Sequence, residues 1–147
     1  MEDLGQLRIY VSERYFPLLH ELSGNNYFTQ NSEFFLYCAC VGEKYGRKEK
    51  LVKRHELCRA VTLTEYDKTI IKTIFYKQND CLSNAKEMIS LAEEFAEGGL
   101  SYLIEHVLNE YVEIYDDGTY HVKVQQGIEL QYALSKFVLK ELQEVPF

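Results

Sequence analysis

Strict alternation of apolar and polar residues occurs at two places in the chain, 7–11 and 111–124, and this limits the sheet it can form. The first run is typical of one short, half-buried strand. In the second run an Asp-Gly pair at 117–118 separates two alternating stretches, which predicts a β-hairpin. With so little strand pattern, most of the chain must be helical.

The other apolar residues recur with the helical period, so the predicted fold class is α+β and mostly helical, with about six helices, a short N-terminal strand and a C-terminal β-hairpin. Thr64 and Asp67 form a capping box. The pair Gly98-Gly99 is expected to break the chain between a fourth and a fifth helix. The predicted helices begin near Glu13, Asn31 or Ser32, Thr64, Ser83 or Asn84, Leu100 and Gln126.

The length of 147 residues fits a single domain, 1–147, and 46% hydrophobic residues suffice for a core. Within it, 1–60 is expected to hold a strand, two helices and a basic loop. Residues 61–110 are expected to be helical, and 111–147 to hold the hairpin and the final helix.

The sequence shows no pattern typical of a membrane span, a metal site or a catalytic motif. No stretch approaches the roughly 20 apolar residues of a membrane span, and the first residues do not resemble a signal peptide, so we expect a cytoplasmic protein. The four cysteines and four histidines lack metal-ligand spacing, which predicts no metal, no cofactor and free, mostly buried thiols. Phosphate-binding and nucleophile motifs are absent, and Glu93-Glu94 is interpreted as a solvated helix face. We therefore expect no catalytic residues.

Charge is distributed unevenly, although the net charge is −7. Residues 1–60 carry nine basic and eight acidic side chains, whereas 61–147 carry seven and fifteen. Seven of the basic residues fall within 44–59, against two acidic ones. This segment, predicted to be a loop or an irregular turn over 47–59, is a candidate contact for an anionic partner, either nucleic acid or an acidic protein. A solvated loop is the alternative.

The strand at 7–11 is a second candidate site. The order strand, helix, turn, helix is found in ribbon-helix-helix DNA-binding dimers, whose outward strand side chains enter the major groove. Here those would be Gln6, Arg8 and Tyr10, with the start of the second helix near 29–32 meeting a phosphate. Alternatively, the strand pairs with the C-terminal hairpin inside one domain.

Three stretches carry a family resemblance: RIYVS at 8–12, FLYCACVGEKYGR at 35–47 running into KEKL at 48–51, and AEEFAEGGL at 92–100. Together they resemble small proteins encoded beside Dnd DNA-phosphorothioation and restriction genes. The resemblance covers about the first 108 residues, and the hairpin and final helix depart from it. It implies an accessory role in bacterial DNA modification or anti-phage defence and assigns no chemistry to named residues.

The leading hypothesis is a non-enzymatic accessory protein of a DNA modification-restriction system that acts through contacts with a protein partner, with DNA or with both. The alternative is a ribbon-helix-helix-like homodimer that regulates transcription. The residues predicted to make contact with the nucleic acid or partner are Arg8, Tyr10, Arg47, Lys48, Lys50, Lys53 and Arg54.

Overall fold

The computed structural model describes residues 5–24, 31–123 and 127–143, and backbone alone at 23, 24, 127, 128, 142 and 143. Within them the chain is α+β and mostly helical, with five α-helices and two small antiparallel strand pairs. The elements are β1 (Arg8–Ser12), α1 (Phe16–Gly24), α2 (Asn31–Lys44), β2 (Arg54–Arg59), α3 (Glu65–Asn79), α4 (Ala85–His106), β3 (Val112–Ile114), β4 (Tyr120–Val122) and α5 (Gly127–Gln143).

Local signals set most of the helix ends. Pro17 is the second residue of α1, a position where a missing N–H breaks no helical hydrogen bond. The predicted capping box is confirmed: Thr64 Oγ1 accepts from Asp67 N, and Thr64 N donates to the Asp67 carboxylate. The Asn84 side chain caps α4 by accepting from Glu87 N. The C-terminal hairpin is also confirmed, with Gly118 at φ +86° in its turn.

The predicted break at Gly98-Gly99 is wrong, because α4 runs without interruption from Ala85 to His106. Gly99 faces α2 and Gly98 faces the backbone just after α2, both at very close range. A Cβ on Gly99 would lie 1.8 Å from the Cys38 carbonyl oxygen, and one on Gly98 would lie 2.1 Å from that of Arg47. Gly42 has the same role on α2, since its Cβ would meet the Phe95 carbonyl oxygen at 2.0 Å. The glycines thus bring two helix backbones together, and packing outweighs their low helix propensity.

A second correction concerns the basic segment, whose last six residues form β2 rather than a loop. The strand pairs antiparallel with β1, with Val11 opposite His55 and Ile9 opposite Cys58. The register shifts between Ile9 and Tyr10, leaving Leu57 as an extra residue that points into the core. The pairing expected between the first strand and the C-terminal hairpin is therefore wrong, since β1 pairs with β2.

The crossing of α2 and α4 forms the centre of the core. Phe34, Phe35 and Ala39 from α2 and Ala92 and Leu103 from α4 are fully or almost fully buried there. Two acidic side chains share this interior: Glu93 is 4% exposed and Glu97 is 3% exposed. The interpretation of Glu93 as part of a solvated face is wrong. None of the described helices is long and apolar enough to cross a membrane.

Candidate nucleic-acid interface

The two candidate sites of the sequence lie side by side, because the basic segment pairs with the strand. Tyr10 of β1 lies under the Arg54 guanidinium of β2, whose carbon is 4.5 Å from the ring centroid. Arg8 of β1 binds the Glu56 carboxylate of β2 at 3.0 Å. Arg8, Tyr10 and Arg54 therefore belong to one surface, which we call the ribbon (Arg8–Ser12 with Arg54–Arg59).

The residues that lead into β2 form a second part of this surface, here called the strap (residues 47–53). Its burial alternates: Arg47, Glu49 and Leu51 are half-buried, whereas the residues between them are exposed. Such alternation is typical of an extended segment with one face on the protein and the other in solvent. The outward face carries Lys48, Lys50 and Val52.

Hydrogen bonds fix the strap backbone to the helices beneath it. Arg47 N donates to Gly42 O at 2.8 Å, and Glu49 N donates to Glu94 O at 3.1 Å. At the other end Lys53 has φ +56°, and its carbonyl accepts from Glu13 N at 2.8 Å. A side chain with positive φ is tolerated when its surroundings hold it in place. The exposed lysines therefore project from a backbone that is bonded along its length.

The cations of the basic segment fall into two groups. Lys44 binds Glu141, Arg47 binds Glu105 at 3.2 Å, and Arg54 binds Glu93 at 3.3 Å. Lys48, Lys50 and Lys53 are exposed and form no ion pair with any residue that the structure describes. Arg47 points toward α4 and away from the outward face. The uncompensated positive charge of the segment thus lies on the three lysines and on Arg59, which is also exposed and forms no ion pair with a described residue.

Two buried glutamates of α4 join the ribbon and the strap to the core. Glu93 Oε2 accepts from Tyr10 N at 2.7 Å, at the edge of β1 that faces away from β2. Glu97 Oε2 accepts from the Ser12 hydroxyl at 2.7 Å and from Arg14 at 3.2 Å. The Ser12 oxygen in turn accepts from Val52 N of the strap at 2.9 Å.

Burial changes the acidity of both carboxyl groups. Desolvation raises the pKa of Glu93 to about 7, against the opposing effects of Tyr10 N–H and Arg54. Desolvation also raises the pKa of Glu97, against hydrogen bonds from Ser12 and Arg14. The i, i+4 spacing of these acids beside a glycine pair was the available sequence signal. This spacing alone does not indicate which of the adjacent Glu93 and Glu94 is buried.

The arrangement around β1 bears on the ribbon-helix-helix interpretation. A dimer of that kind pairs β1 with its copy, but one edge of β1 is bonded to β2 and the other receives Glu93. At the start of α2, residues 29 and 30 lie outside the described residues, and Ser32 is buried instead of facing a phosphate. The regulatory function itself stays a prediction.

A hydrogen-bonded chain in the hairpin has the residue types of a hydrolytic triad. Thr119 Oγ1 lies 2.8 Å from His121 Nε2, and His121 Nδ1 lies 2.6 Å from Glu21 Oε2. However, the hydroxyl also lies 2.6 Å from Asp117 Oδ1, and the Thr119 and Gly118 amides already donate within the turn. These hydrogen bonds hold the hairpin on α1.

Two grooves flank the exposed side of α2. One, of about 540 Å³, lies against α3 and is lined by Leu36, Tyr37 and Ile70. The other, of about 240 Å³, lies against α5 and is lined by Tyr37, Tyr45 and Phe137. Their walls are mostly apolar, and they contain none of the residues predicted to make contacts.

The part of the chain that the structure describes holds no group of three or more His, Cys, Asp or Glu residues arranged for a metal ion. All four cysteines are free. The expectation that they are mostly buried is wrong for Cys40 and Cys81, which are exposed.

Comparison of the chain with protein families, with curated proteins and with solved structures gives no match.

Proposed function

We propose that this protein is a non-enzymatic accessory protein of a bacterial DNA modification-restriction system, and that it contacts DNA through the ribbon and the strap. The observation that carries the proposal is the outward face of the strap, where Lys48 and Lys50 are exposed and form no ion pair with a described residue. Lys53 and Arg54 continue this positively charged surface from the strap to the ribbon. The accessory role in such a system is what the family resemblance implies.

The spacing of the lysines supports a nucleic-acid partner over an acidic protein. Residues i and i+2 of an extended segment are about 6.6 Å apart along the chain. Neighbouring phosphates of one DNA strand are separated by about 3.4 Å along the helix axis and also by the winding of the strand around that axis, which places them about 7 Å apart. Lys48 and Lys50 can thus approach two phosphates of one strand without moving the backbone.

The net charge of −7 sets the expected strength of the contact. Repulsion between the acidic remainder of the molecule and the phosphates weakens the binding of the isolated protein, so the contact should be detectable at low salt and lost as salt rises. Stable binding in the cell then requires a protein partner from the same system, which is the accessory role proposed here.

The test measures fluorescence anisotropy of a labelled DNA duplex at low salt with two matched double variants. Lys48→Glu with Lys50→Glu removes the strap charges. Lys136→Glu with Lys140→Glu makes the same change on exposed positions of α5. We expect the strap variant to lose roughly tenfold or more in affinity and to lower the salt slope by about 2. The α5 variant should stay within about threefold of the wild type.

Two results would overturn the proposed DNA contact. One is the absence of binding by the wild type at low salt, where electrostatic contacts are strongest. The other is an equal loss in both double variants, which would show that net charge alone decides. If the strap variant instead loses an acidic protein encoded by a neighbouring gene while DNA binding is unchanged, the strap binds protein.

A further inference from the structure

Glu93 connects the exposed ribbon to the buried face of α4. Its two carboxylate oxygens have different partners: Oε2 accepts from Tyr10 N at 2.7 Å, and Oε1 lies 3.3 Å from Arg54 Nη2. The glutamate side chain is 4% exposed, whereas the Arg54 side chain is 56% exposed. Arg54 is therefore shared between a buried acid and the solvent.

This sharing distinguishes Arg54 from the neighbouring cations of the proposed interface. Lys48, Lys50 and Lys53 carry charges that no described acid compensates. The charge of Arg54 is compensated only while Glu93 is ionised. Because more than half of the Arg54 side chain is exposed, a second anion can reach its guanidinium from the solvent side.

We propose that Glu93 is a protonation switch for this surface, an inference that rests on the proposed DNA contact. Ionised Glu93 holds the Arg54 guanidinium, and protonated Glu93 frees that charge for a DNA phosphate. The proton goes to the carboxyl oxygen nearer Arg54, while the other oxygen keeps the Tyr10 N–H bond.

The groups around Glu93 come from three elements. β1 brings the Tyr10 N–H, β2 brings Arg54, and α4 brings Glu94, whose negative charge disfavours ionisation. Among the described residues, α2 and α3 bring no charged group to bear on it. One turn further along α4, Glu97 has its own partners, Ser12 and Arg14. Burial is the largest effect and raises the pKa of Glu93 to about 7.

The direction of the effect follows from that raised value. A carboxyl group is neutral below its pKa, so Glu93 gains its proton as the pH falls through about 7. The ribbon then gains one positive charge, and DNA binding becomes tighter. An exposed ion pair contributes up to about a fivefold factor, so we expect a threefold to fivefold gain in affinity, roughly, between pH 8 and pH 6.

The experiment compares the DNA affinity of Glu93→Gln and of a control, Glu94→Gln, at pH 6 and pH 8. Both are made in a His20→Gln, His55→Gln background, because these exposed histidines lie near the ribbon. We expect Glu93→Gln to bind at pH 8 as tightly as the parent does at pH 6, with a flat profile. Glu94→Gln should keep the parent's pH dependence.

A second measurement follows the side-chain carboxyl ¹³C signal of Glu93 in the wild type by NMR, which requires no substitution at the site. We expect a titration midpoint near 7. A midpoint near 4.5, or the same pH dependence in Glu93→Gln and its parent, would overturn the switch and leave the DNA contact intact. Absence of DNA binding by the wild type at both pH values would overturn the proposed function, and the switch with it.

Discussion

Glu93 on α4 and Glu21 on α1 bind two different strand pairs in the same way. Glu93 accepts from Tyr10 N of β1 and binds Arg54, whereas Glu21 accepts from Val122 N of β4 and binds His121. Their burial differs, since the Glu93 side chain is 4% exposed and that of Glu21 is 32% exposed. The same contact therefore has two environments, one in the core and one at the surface.

The difference indicates what each region can do. At the N-terminal ribbon, a buried acid with a pKa near 7 connects the exposed cations to the core, so a change of charge in the interior affects the surface. At the C-terminal hairpin, water screens the equivalent contact, and its main effect is to hold β4 on α1. The proposed interface therefore lies at the ribbon, where the glutamate that binds the strand pair is buried.

The largest expected effect comes from breaking the helix crossing that buries Glu93. Gly99→Ala places a methyl group 1.8 Å from the Cys38 carbonyl oxygen, so α2 and α4 must separate. We expect the free energy of unfolding to fall by at least about 3 kcal/mol in urea denaturation. Ser90→Ala, at an exposed position of the same helix, is the control and should change it by less than about 0.5 kcal/mol. A loss below about 1 kcal/mol for Gly99→Ala would contradict the close packing.

A smaller effect is expected from pH, and it separates the two glutamates. The folded-state pKa of Glu93 lies above its ordinary value of 4.5, so this group stabilises the fold at low pH and loses that contribution as the pH rises through about 7. Between pH 5 and pH 8 this loss is on the order of 2 to 3 kcal/mol. Unfolding measured across that range should show the full loss in the wild type and in Glu21→Gln, and a smaller loss in Glu93→Gln, where Glu97 also has a raised pKa. An equal loss in Glu93→Gln and in the wild type would assign the pH dependence to another group.

The smallest effect is expected at the hairpin. Glu21→Ala removes the acceptor for Val122 N and His121, both of which belong to half-buried residues at the surface. We expect a loss of about 1 kcal/mol or less, with faster amide exchange confined to the residues of β3 and β4. Destabilisation as large as that of Gly99→Ala would show that the two attachments do not differ as their burial implies.

The sequence predicted the features whose signals are local. Alternation and an Asp-Gly turn indicated the hairpin, and Thr64 with Asp67 indicated the start of α3. It did not reveal β2, because Arg54–Arg59 is mostly charged and pairs with a strand more than 40 residues away. It also took the Gly98-Gly99 pair for a break, since helix propensity is visible in a sequence and the approach of a second backbone is not.

The candidate site was predicted in part. The sequence singled out Arg8, Tyr10 and Arg54 but treated the strand and the basic segment as competing sites, and the structure places these three on one ribbon. It could not separate Arg47, which binds Glu105, from the exposed lysines of the strap, because the partner lies on a distant helix. Glu93 was missed for the same reason.

The most direct test of the proposed interface maps DNA onto the molecule by the backbone amide shifts of the wild type in NMR. A short DNA duplex is added at low salt, at pH 6 where binding is expected to be tightest. The account predicts shift changes in residues 8–12 and 47–59, with α5 and the β3–β4 hairpin unaffected. Shift changes centred on the α2–α3 groove or on α5, or none at all, would contradict it.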